Sequence, residues 1–195
     1  MKRFFKVIAL VAVFILSSFE VSDAYSFVSM SDITPEEFVQ QMEEHSKERA
    51  TQGNPDGLSI GSLAYVGHSQ GSNGDVYKAH VGKYLLLTLY CDSRSKVRNA
   101  AIGQSGDLKE DIAIKEAKGA EMGRVKRCIL ETIGLSDNEV SEFYDSPDIY
   151  TTEQTEKWYP SIGKRVVEYN EANTKFLVNG SVTYTYEATF FVSMD

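Results

Sequence analysis

Histidine is scarce in this chain, three in 195 residues, and that scarcity removes most catalytic and metal-binding arrangements before any motif is read. His45, His68 and His80 include no pair at i, i+4, the helical spacing that zinc hydrolases use. Cysteine is scarcer still. Cys91 and Cys128 are the only two, too few for a zinc cluster and too far apart for a redox CxxC. Bases are in deficit, with 20 Lys and Arg against 28 Asp and Glu and a net charge of −8. Nucleic-acid binding needs clustered bases, so no nucleic-acid partner is expected. The densest basic spot, Arg124-Val-Lys126-Arg127, reads as the wet face of a helix. No cofactor fingerprint occurs, and neither a cofactor nor a metal is expected.

Long apolar runs are missing too, apart from one at the N-terminus. Met1 to Lys6 is basic, Val7 to Ser18 (VIALVAVFILSS) is apolar or small, and Ser22-Asp-Ala24 offers a small-x-small cleavage site. That is the pattern of a secretory signal peptide over residues 1–24, with Tyr25 as the first mature residue. The run falls short of the roughly 20 residues that span a bilayer, so no stable membrane anchor is expected after cleavage. Residues 25–195 are then a single exported domain, periplasmic or extracellular. In that compartment an even cysteine count points to a Cys91–Cys128 disulfide, stabilising by roughly 3–4 kcal/mol.

The local signals of structure are plain in places. Thr34-Pro-Glu-Glu37 is a capping box with Pro at the first helical position, followed by Phe38, Val39 and Met42 as an apolar face. This helix ends near Ala50, before the turn formers TQGNPDG. From Leu58 to Val66 the period becomes two, a weak strand, and Gly67 to Asp75 is a glycine-rich loop. Val76 to Asp92 reads as one long strand with a centre apolar on both faces, hence central in a sheet. Asp92 to Ser95 turns the chain back through Val97, Ala100 and Ile102. Residues 107–134 carry helical spacing, ended by Gly134, and Ser136-Asp-Asn-Glu139 opens a second, short helix. The acids Glu110-Asp111 and Asp137/Glu139 sit where a helix start favours carboxylates. Residues 145–162 read as irregular. Arg165 to Tyr169 is a strand, Asn170 to Asn173 a turn, and Lys175 to Val178 a strand. Asn179-Gly180 is a hairpin signal, and a last strand follows. The expected fold is α+β, with helices on one face of a curved antiparallel sheet: helix, three strands, two helices, three-strand meander.

One motif imitates chemistry. Gly67-His68-Ser69-Gln70-Gly71 matches the Gly-x-Ser-x-Gly of a serine hydrolase, but such a serine needs a helix after it and an acid and histidine further on. SNGDVYKAHVG is a glycine-rich return to strand, and His80 is the only later histidine. Catalysis by Ser69 with His80 is kept as the alternative, and a metal site of His68, His80 and Asp75 is set aside because its loop has no fixed register. The favoured reading is a non-catalytic binding module for a small ligand, a peptide or a partner protein. Tyr184, Tyr186 and Phe190 share one face of the last strand, and Trp158 and Tyr159 precede it in the irregular stretch. Tyrosines on an inner face require hydrogen-bond partners, and an aromatic cleft with polar tips suits a ligand. Those five residues are the candidate site.

Overall fold

Backbone pairing across this chain gathers eight antiparallel strands into one sheet in the order β1-β2-β3-β4-β8-β7-β6-β5. The computed structural model describes residues 29–51, 57–69, 74–177 and 180–194. The expected leader 1–24, the loop residues 70–73 and Asn179 of the hairpin signal lie outside them. The elements are α1 (Pro35–Thr51), β1 (Ala64–Ser69), β2 (Gly74–Val81), β3 (Leu85–Cys91), β4 (Val97–Asp107), α2 (Ile112–Thr132), α3 (Asp137–Asp145), β5 (Ile149–Tyr150), β6 (Gln154–Tyr159), β7 (Lys164–Phe176) and β8 (Val182–Ser193). Mixed α+β is therefore the fold class. Two four-strand meanders meet at their last strands, where β4 pairs with β8.

Both capping boxes form. The Thr34 amide donates to Glu37 Oε2 at 2.8 Å and the Glu37 amide to Thr34 Oγ1 at 3.3 Å. Ser136 and Glu139 repeat the exchange at the start of α3. Asp111 caps α2, accepting from the Ala113 amide at 3.0 Å. Phe38 and Met42 of α1 and Met122, Val125 and Ile129 of α2 share one buried cluster with Leu85, Leu87 and Leu89 of β3. Ala100 and Ile102 of β4 and Ala188, Phe190 and Val192 of β8 belong to it as well. Register places these strand residues opposite one another, Leu87 to Ile102 to Ala188 and Ala100 to Phe190, so the helices pack on that one face. At about 25 cal/mol per Å2 of apolar area removed from water, such side chains contribute about 1.5–3 kcal/mol each. No helix among the described residues is long and apolar enough to cross a membrane.

The strand count departs from expectation in three places. The stretch expected as one strand from Val76 to Asp92 is two, because the chain turns at residues 82–84. Gly82 has φ +56° there, a conformation glycine adopts without strain. The Asn170–Asn173 turn does not occur. β7 runs straight through it, since all its residues from Arg165 to Phe176 find partners along β8. The irregular stretch contains β5 and β6. Each half thus has four strands, not three.

The expected disulfide is not formed. Cys91 and Cys128 are free thiols, both buried. Burial pushes each up to about 12, with Asp75 adding to the effect at Cys91 and Glu131 at Cys128. They behave as small apolar side chains, the commonest role of buried cysteine.

Candidate functional site

Past Asn170, β7 loses its outer neighbour. β6 pairs with β7 only between Lys164 and Tyr169, and the last bond across that edge runs from the Asn170 amide to the Glu153 carbonyl at 2.6 Å. From there to Phe176 the strand pairs, among the described residues, with β8 alone, and residues 171–177 are exposed. This β7–β8 arm presents Ala172, Thr174 and Phe176 beside Tyr186, Tyr184 and Val182 on its helix side. Phe176 is 81 % exposed. Leu108 donates its amide to the Val182 carbonyl at 2.9 Å, and its side chain and that of Ile112 are exposed at the same end.

Two tyrosines of the arm reach inward to two lysines of α2. Lys118 Nζ bonds both oxygens of Glu110 at 2.8 Å and the Ser105 carbonyl at 2.7 Å. The Tyr184 hydroxyl donates to Glu110 Oε2 at 3.4 Å, and the Tyr184 ring lies 5.6 Å from the ammonium. Gly106 makes this approach possible: a Cβ there would stand 2.6 Å from the Glu110 oxygens and 2.7 Å from Lys118 Nζ. Deeper along α2, Lys126 Nζ donates to Glu168 Oε1, to the Tyr186 hydroxyl at 2.8 Å and to Asn170 Oδ1 at 3.3 Å. The Tyr186 hydroxyl in turn donates a hydrogen bond to Asn170 Oδ1.

Electrostatics keep both lysines charged. Burial alone would lower each, but Glu110 outweighs it at Lys118 and Glu168 at Lys126, so both sit above their usual values. The Lys118 hydrogen bond in turn lowers Glu110. Neither ammonium is a neutral amine near pH 7, so neither serves as a nucleophile or a general base. Burial and then Glu168 push the Tyr144 phenol well above its ordinary value. The arrangement can hold and orient polar groups.

The candidate residues separate into three places. Tyr184 and Tyr186 are side by side, each hydrogen-bonded as an inward tyrosine requires. Phe190 shares their face but is fully buried in the core, out of a ligand's reach. Trp158 and Tyr159 point to opposite faces of β6: Tyr159 is buried and donates to the Glu139 carbonyl at 2.8 Å, while Trp158 lies 36 % exposed on the face away from the helices. β7 stands between β6 and β8, so no cleft joins these aromatics to Tyr184. Ser69 pairs with Gly74, whereas His80 pairs with Leu86 near the far end of β2. Six residues of strand separate Gly74 from His80, about 20 Å, and no serine–histidine contact is made. His68 meets Asp75 at 3.4 Å without His80, and no group of three His, Cys, Asp or Glu among the described residues could hold a metal.

Lys118, Lys126, Glu110, Glu168 and Asn170 are absent from the sequence-based set. A signal for the lysines existed: both fall on the apolar stripe of α2 with Met122, Val125 and Ile129. Lys126, expected on a wet face, is only 15 % exposed. A polar cleft of about 230 Å3 is lined by His45, Glu48, Arg49, Glu131, Leu135, Ser136 and Asp137. Arg49 bridges Glu131 and Asp137 within it, which ties α1 to α2 and α3. No protein-family model matches the chain, and neither a curated protein nor a solved structure matches it.

Proposed function

We propose that the protein is a non-catalytic binding module working outside the cytoplasm, with the β7–β8 arm as its binding element. One observation carries this reading. On the helix side of the arm, Phe176 is 81 % exposed next to the half-buried Val182 and Tyr184, beside the fixed Lys118–Glu110 pair. Exposed apolar surface rimmed by oriented polar groups marks interaction sites. Export rests on the basic-apolar-small pattern of residues 1–24.

A thermal-shift screen of the purified protein against peptides, lipids and small polar molecules tests it, because a ligand selective for the native state raises stability. Stabilising ligands are expected to lose their effect on Phe176→Ser. Ligands that stabilise the variant and the native protein equally would move the site elsewhere.

A further inference from the structure

We infer that the outer edge of β7 from Glu171 to Phe176 docks an extended peptide segment of another protein, which adds antiparallel to β7 and places a basic residue opposite Glu171. This rests on the arm being the binding element and names what it binds.

Backbone geometry supplies the slot. The Asn170 amide points outward to Glu153, and strand alternation then sends the N–H and C=O of Ala172, Thr174 and Phe176 the same way. Among the described residues nothing pairs with them. An open edge of this kind is a template for strand addition, in which the main chain supplies affinity and alternate side chains supply specificity. On the helix side, the incoming strand's side chains would lie beside Ala172, Thr174 and Phe176.

Charge on the reverse face selects the occupant. Glu171 stands directly opposite Glu187, and like charges facing across strands are destabilising. Burial, and after it Glu171, raises the Glu187 carboxyl, with Lys78 opposing. Asp107 shares this face, opposite Thr183, and Lys175 is the arm's one base there. A cation opposite Glu171, which already accepts from Asn173 Nδ2 at 2.7 Å, relieves the acidic pair, and an acid opposite Lys175 sets opposite charges across the new strand pair. An antiparallel peptide therefore reads acidic, neutral, basic at alternate positions.

Sterics decide between a free peptide and a second copy. The chain's own Glu171-Ala-Asn-Thr-Lys175 has that charge order. In the matching register, however, a second copy would carry its Phe176 and Leu177 opposite Asn170 and Tyr169, where Glu153 and Gln154 already close the slot. A linear segment ending opposite Glu171 stops short of it.

The test uses the acetylated, amidated hexapeptide VEVTVK and its control VEVTVE, titrated into the purified protein by NMR with amide exchange. VEVTVK is expected to slow exchange at Ala172, Thr174 and Phe176 at least about tenfold at saturation, and to bind about threefold or more tighter than VEVTVE. Thr174→Pro removes an edge donor at a position where an edge strand tolerates proline, and should abolish binding. Glu171→Lys should reverse the preference between the two peptides, a readout that does not depend on the proline variant folding. No binding up to about 1 mM peptide, binding without slowed exchange at the three amides, or an unchanged preference in Glu171→Lys would each overturn the inference. So would a native dimer that Thr174→Pro converts to monomer, since the occupant would then be a second copy. Should the peptide fail while screened ligands still depend on Phe176, the strand-addition inference falls and the arm's binding role stands.

Discussion

Glu121 of α2 closes over Gly82 in the β2–β3 turn: its carboxylate accepts the amides of Lys83 at 2.9 Å and Tyr84 at 3.1 Å. Two amides of this turn are satisfied by one side chain 38 and 37 residues away. A Cβ on residue 82 would run into Glu121 Oε1, so the turn's left-handed backbone and the carboxylate's position depend on each other.

Gly82→Ala is therefore expected to destabilise by more than the roughly 1 kcal/mol of an ordinary left-handed glycine, because the carboxylate must also shift. Glu121→Ala should cost about 1–3 kcal/mol by leaving both amides unsatisfied. Urea unfolding of the two variants and of their double measures this, and the double should lose less than the sum.

The Lys126–Glu168 pair is a buried one, with Glu168 1 % exposed. Glu168→Gln leaves the ammonium uncompensated and is expected to cost about 3–5 kcal/mol. Replacing both partners, Lys126→Met with Glu168→Leu, should recover most of that loss. Chemical denaturation of the single and double variants separates the outcomes; a double variant as unstable as Glu168→Gln would refute the charge argument.

Acid sensitivity should trace to Asp92. Burial opposes its ionisation, but the Ser29 hydroxyl, the Lys96 amide and Arg94 hold its carboxyl at about 2. A carboxyl lowered on folding contributes stability that is present above its unfolded value near 4 and is lost as pH falls through the folded value. The contribution is about 2 kcal/mol, lost between about pH 4 and 2. In Asp92→Asn that part of the pH–stability curve should flatten, as read by thermal melts across the range.

The thiols give an alkaline counterpart. Both stay protonated in the folded chain up to about 12, while unfolded thiols ionise near 8.5. The unfolded state sheds protons first, so stability falls as pH rises from about 8.5 toward 12. At pH 8 a thiol reagent should label two cysteines only after denaturation. A mass showing the loss of two hydrogens, restored by reductant, would instead demonstrate the bridge.

Much of the architecture is written locally. Thr34-Pro-Glu-Glu37 and Ser136-Asp-Asn-Glu139 start helices because a cap needs only residues three positions apart. The alternation of β8 alone puts Tyr184, Tyr186 and Phe190 on one face, since side chains alternate along any strand. These features required no knowledge of the rest of the chain.

Other features are settled by residues distant in sequence. The break at Gly82 falls where the period of two continues on both sides, and Glu121 stabilises it from another element. Asn170 to Asn173 has turn-forming composition, yet pairing along β8 keeps it extended. Trp158 and Tyr159 are neighbours in the chain and face opposite sides of β6 for the same pairing reason. Lys126 turns inward because Glu168, 42 residues on, offsets the penalty of burying its charge. The helices, their caps and the face of the final strand depend on near neighbours and are legible along the chain. Which strands break, which charges are buried and which edge stays open depend on partners that folding alone brings together.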